Sequence, residues 1–117
     1  MTFELLHSIA TSFPHVKEEF PFDKTTLVYK VGGKMFLLID IDTPNEITLK
    51  SSPAKVEELI ESFEWITRGF HMNKTHWVTI QLSHPQTDFS LVTSLISESY
   101  SLVFSGLTKK VKNALEN

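Results

Sequence analysis

The residues best able to do chemistry crowd one short stretch, where Arg68, His71, Asn73, Lys74, His76 and Trp77 fall close together. Cations, an amide and an indole in such density suit a nucleic acid: Lys and Arg neutralise phosphates, Asn donates and accepts hydrogen bonds, and an aromatic ring offers a stacking face. Lys30 and Lys34 flank Gly32-Gly33, and Lys50 follows the apolar positions Ile47 and Leu49. These nine residues are the candidate phosphate-tracking surface; taken singly, Lys30 and Lys34 read as ordinary surface lysines, and Trp77 reads equally as packed on the aliphatic part of a neighbour. Lys109, Lys110 and Lys112 form the densest basic run and read equally as a solvated tail. Asp40 and Asp42 pull the other way, because carboxylates beside the Thr43-Pro44-Asn45 turn would repel phosphate there.

Other chemistries find less support. His71 and His76 are five apart, matching neither a helical zinc pair nor a zinc-finger pair, and no carboxylate adjoins them in sequence. Glu18 and Glu19 are neighbours on an extended segment and would point apart, so paired acid–base work is not expected. No Gly-x-Ser-x-Gly elbow is present, and Gly32-Gly33 sits between two strands rather than before a helix, which excludes a phosphate loop of the usual kind. The chain has no cysteine, hence no thiol nucleophile, disulfide scaffold or thiolate-held metal.

The elements that must position these residues follow from pattern. With 117 residues and 41% hydrophobic content, the chain reads as one domain spanning 1–117 that folds without covalent staples. Its net charge of -3 restricts any nucleic-acid contact to a local patch. No apolar run approaches a membrane span, and the start of the chain lacks a basic region followed by an apolar signal core, so the expectation is a cytoplasmic protein with no membrane contact.

Met1 to Ser12 reads as a helix capped by Thr2, with Leu5, Leu6, Ile9, Ala10 and Phe13 on one face and Pro14 ending it. His15 to Lys24, containing Phe20-Pro21-Phe22, reads as a loop. Thr25 to Ile41 reads as a hairpin about Gly32-Gly33, pairing Val31 with Lys34, Tyr29 with Phe36 and Leu27 with Leu38. That register leaves Val28, Met35, Leu37 and Ile39 on the reverse side, where Phe20 and Phe22 are expected to cover them. Glu46 to Lys50 reads as a third strand.

Ser52-Pro53 starts a second helix to about Ser62, its apolar stripe formed by Val56, Leu59, Ile60 and Phe63 and its outer face by Lys55, Glu57, Glu58 and Glu61. Trp65 to Thr67 suits a brief strand. His76 to Leu82 alternates, with His76, Val78, Ile80 and Leu82 on one side and Trp77, Thr79 and Gln81 on the other. Asp88 caps a third helix to about Phe104, in which Tyr100 is a core position, and Thr108 to Leu115 adds a last turn or two. The fold class is α+β: an antiparallel sheet of about four to five strands, helices packed mainly on one face, in the order α-β-β-β-α-β-(β)-α.

Five strings then carry a resemblance: Glu18-Glu19-Phe20-Pro21-Phe22, Lys30-Val31-Gly32-Gly33-Lys34-Met35-Phe36, Leu49-Lys50-Ser51-Ser52-Pro53, Gly69-Phe70-His71-Met72-Asn73-Lys74-Thr75-His76-Trp77 and Ser99-Tyr100-Ser101-Leu102-Val103. In this order and over nearly the whole chain, the sequence resembles the MmcQ/YjbR family, small bacterial proteins described as carrying a double wing DNA-binding motif. The resemblance implies a YjbR-like sheet-plus-helices fold and DNA as partner. The resulting expectation is a non-enzymatic DNA-binding protein without cofactor or metal. The alternative is a binding module for a small molecule or protein, or a homodimer, using an apolar sheet face and the 68–77 loop.

Overall fold

The computed structural model describes residues 1–69 and 72–116. Among these, the chain forms four helices and one six-stranded antiparallel sheet. In chain order the elements are α1 (Phe3–Thr11), β1 (Lys17–Glu19), β2 (Thr26–Val31), β3 (Lys34–Asp40), β4 (Glu46–Lys50), α2 (Pro53–Ser62), β5 (Ile66–Arg68), β6 (Trp77–Gln81), α3 (Phe89–Ser105) and α4 (Lys109–Glu116). Across the sheet the strands run β1-β2-β3-β4-β6-β5. None of the described helices is long and apolar enough to cross a membrane.

The helix starts obey their capping signals. Thr2 accepts from the Leu5 N–H, Ser52 from the Lys55 N–H with Pro53 behind it, and Asp88 from the N–H groups of Ser90 and Leu91. The helices pack onto one face of the sheet. Leu6 and Ala10 of α1, Val56 and Leu59 of α2, and Val92, Leu95, Ile96 and Tyr100 of α3 meet Leu27, Tyr29, Ile47, Leu49, Val78 and Ile80 in a single core.

A bulge in β3 revises the hairpin register. Gly32 (φ +57) and Gly33 (φ +82) form the expected two-residue turn, and Val31 pairs with Lys34. Beyond Lys30↔Met35 the ladder slips by one, so that Tyr29 pairs with Leu37 and Leu27 with Ile39 rather than with Phe36 and Leu38. The slip reverses the faces: Phe36, Leu37 and Ile39 all enter the helix-covered core, and Leu38 joins Val28 on the other face.

Three further expectations need correction. The sheet has six strands because Lys17–Glu19, within the expected loop, pairs with β2; it has no apolar alternation and is a charged edge strand. Phe20 and Phe22 do not cover the reverse face, being 47% and 62% exposed. The strand after α2 starts at Ile66, one residue late, because the chain is still turning at Trp65, with the Ile66 N–H bonded to the Phe63 carbonyl.

Candidate functional site

The register places most of the candidate cations along one end of the sheet. Lys30 is opposite Met35, Lys50 is opposite Trp77, and the Gly69 N–H bonds to the Trp77 carbonyl, so these positions line up across five strands. Two chain reversals leave from this end: the Gly32-Gly33 turn, with exposed Lys34, and the β5–β6 connection, with exposed Lys74. Their midlines are three strand spacings apart, about 14 Å. Between them β4 runs into α2.

That junction holds Lys50 and Lys55, which line a hollow of about 170 Å³ with Ser51, Ser52, Glu98 and Leu102. The second helix's lysine therefore belongs with the candidate cations, although its periodicity groups it with the acidic outer face. A sequence signal for this exists in the Ser52-Pro53 start, which puts Lys55 in the first helical turn. At the opposite flank Leu107 and Val111 press on the hairpin tip: a Cβ on Gly32 would lie 2.6 Å from Leu107 Cδ1. The start of α4, with exposed Lys109 and Lys110, is thereby held against the hairpin tip at Gly32.

Several predicted site residues are engaged elsewhere. Lys30 Nζ is 2.8 Å from Glu19 Oε2 on the neighbouring edge strand. Arg68 Nη2 contacts Glu57 at 2.7 and 2.9 Å, and its Nη1 donates to the Lys74 carbonyl. Trp77 is only 7% exposed, packed with Val28 and Leu38, so it has no open ring face for stacking. Asn73 accepts the Thr75 N–H through Oδ1 and shapes its own turn. His76 is half-buried, and its carbonyl accepts the Ser51 N–H. His71 lies outside the described residues.

The reverse face of the sheet has a second character at its other end. Here a groove of about 420 Å³ opens between Phe22, Asp23, Asp40, Glu46, Leu38 and Met72, with Thr48 and Thr79 also lining it. The Thr48 and Thr79 hydroxyls are 3.1 Å apart. The open face thus grades from carboxylates through Val28, Leu38 and Trp77 to lysines. Of the apolar residues expected on this face, Val28 and Met35 are there and Leu37 and Ile39 are not, and the groove depends on Leu38 facing outward after the bulge.

Two buried tyrosines mark the helix-covered side. The Tyr29 hydroxyl lies 2.9 Å from His7 Nδ1, and burial, aided by the Glu18 charge, holds its pKa well above the ordinary value of 10.0. Tyr100 donates to the Pro14 carbonyl at 2.6 Å, and burial raises its pKa too. No three His, Cys, Asp or Glu side chains among the described residues are placed to hold a metal ion.

A family model described as YjbR matches residues 11–102. An uncharacterised protein of Escherichia coli O157:H7, YbdF, is 34% identical over 110 residues, covering 92% of this chain and 88% of that protein. The crystal structure of the Deinococcus radiodurans protein DR2400, a DUF419 domain, superposes with a TM-score of 0.89 at 38% identity, covering 98% of this chain and 88% of that one. A Pseudomonas syringae protein of solved structure gives a TM-score of 0.73 at 26% identity, covering 88% of this chain and 99% of its own.

Proposed function

Since the chain belongs to the YjbR family, whose resemblance implies a double wing, we propose that it binds duplex DNA without catalysis, through the lysine-bearing end of its sheet. The observation that carries this reading is the alignment of Lys34, Lys50, Lys55 and Lys74 along that end, between two reversals about 14 Å apart. That spacing is comparable to the major groove's width of about 12 Å, so the two turns can track phosphates on either side while the β4–α2 junction faces the groove. The contacts are to the backbone. With Trp77 packed inward and Arg68 held by Glu57, little remains among the described residues at this end to read base edges, and the expected binding is of low sequence specificity.

The opposite end contributes orientation. Asp23, Asp40 and Glu46 repel phosphate, and on a molecule of net charge -3 this polarity turns the lysine end toward the duplex. Fluorescence anisotropy with a random duplex at two salt concentrations tests the reading. With four lysines engaged, log K falls against log salt with a slope of about −3 to −4. Absence of binding at low salt overturns it.

A further inference from the structure

We propose that the groove at the acidic end of the open sheet face binds a small organic cation, an amine carrying an apolar or aromatic body. The carboxylates of this site lie at the opposite end of the sheet from Lys34 and Lys50, Met72 reaches it from the connection that also carries Lys74, and the proposal does not depend on DNA binding.

The argument starts from the shape. At about 420 Å³ the groove is of the size that small ligands occupy, and its apolar parts are Leu38, Met72 and the rim residue Phe22. Phe22 is 62% exposed, an unusual position for a ring on a chain that buries most of its large apolar side chains, and one suited to closing over a ligand. A cation against that ring face gains further attraction.

Charge then selects the occupant. Asp40 and Glu46 are adjacent across β3 and β4, one step beyond the Ile39↔Ile47 pair, and Thr26↔Asp40 brings the Asp23 turn alongside. Among the described residues none of the three carboxylates has a cationic partner. Asp23 is fixed in place: Oδ1 accepts from the Thr25 and Thr26 N–H groups at 2.9 and 2.6 Å, and Oδ2 accepts from the Thr26 hydroxyl at 3.0 Å. Those bonds keep it ionised below the ordinary carboxylate range. An anion is repelled by this rim. A bare metal ion is poorly served, because the described carboxylates do not converge on one point. An amine with an apolar body meets both demands, its charge at the rim and its body on Leu38, Met72 and Phe22.

The test uses the full chain, labelled with ¹⁵N, titrated with 2-phenylethylamine and separately with 3-phenylpropanoate. Saturable shifts confined to the amides around Asp23, Asp40 and Glu46 are expected with the amine, and affinity at least about tenfold weaker with the acid. Glu46→Gln and Asp40→Asn each weaken the amine by about two- to fivefold, the range of one half-exposed charge pair. Phe22→Ala weakens both probes. Lys50→Glu, at the other end, leaves the amine unaffected, and melting curves confirm that each variant is folded. Equal binding of amine and acid, or no shift with the amine, overturns the proposal. The DNA titration separates the two ideas, since a chain that binds duplex but no amine loses only this one.

Discussion

The Ser99 hydroxyl donates to the Phe36 carbonyl at 2.7 Å, at the point where the bulge in β3 breaks the sheet ladder. The same oxygen accepts the Lys50 N–H at 2.9 Å, so one buried side chain of α3 joins two strands whose regular pairing begins only at Leu37↔Leu49. Lys50 is held at the lysine end by this bridge on one side and by its pairing with Trp77 on the other. Ser99→Ala leaves a buried acceptor and a donor without a partner, and is expected to cost about 2–4 kcal/mol. Urea unfolding measures the loss, and an unchanged midpoint would show that the bridge is dispensable.

Phosphate contact predicts additive loss of counterion release. Each of Lys34→Gln, Lys50→Gln, Lys55→Gln and Lys74→Gln should reduce the magnitude of the salt slope by about one. Lys30→Gln and Arg68→Gln should change it less, because Glu19 and Glu57 already hold those charges. Duplex titrations over a salt series distinguish the two groups.

Trp77 is predicted to act through stability. Trp77→Ala empties a space between Val28 and Leu38 and should cost about 3–5 kcal/mol. Trp77→Phe, at a temperature where the variant is folded, should leave DNA affinity unchanged. A selective loss of DNA binding in that variant would restore a stacking role.

The two turn glycines should differ. Both have positive φ, which costs a side chain about 1–3 kcal/mol. Gly33 opens to solvent with no atom near its would-be Cβ, whereas at Gly32 that atom would meet Leu107 and Val111. Gly32→Ala should therefore lower the melting temperature more than Gly33→Ala, and should also loosen α4 in hydrogen exchange.

Alkaline stability tests Tyr29. Its folded pKa is raised above the unfolded value of 10.0, so the stabilisation is fully present below pH 10 and is lost as pH rises toward the folded pKa. The decline reaches at most about 1.4 kcal/mol per pH unit for this one group. Tyr29→Phe is expected to be less stable at neutral pH, through loss of the His7 hydrogen bond, yet to show a shallower decline above pH 10.

Local physics in the sequence determined much of this protein. Hydroxyl and carboxylate caps started three helices, two adjacent glycines made the hairpin turn, and period-two alternation in 76–82 separated Val78 and Ile80 from Trp77. Those signals act within a few residues, so pattern carries them. What only the tertiary structure decided was everything set by pairing at a distance. The β3 bulge is stabilised by Ser99, 63 positions away, and it moved Leu37 and Ile39 into the core while turning Leu38 outward to line the groove. Strand β1 has no apolar pattern and exists because β2 offers it an edge. Whether a cation is free or neutralised was likewise settled across strands, by Glu19 beside Lys30 and Glu57 beside Arg68, since an ion pair depends on neighbours in space that spacing along the chain does not encode.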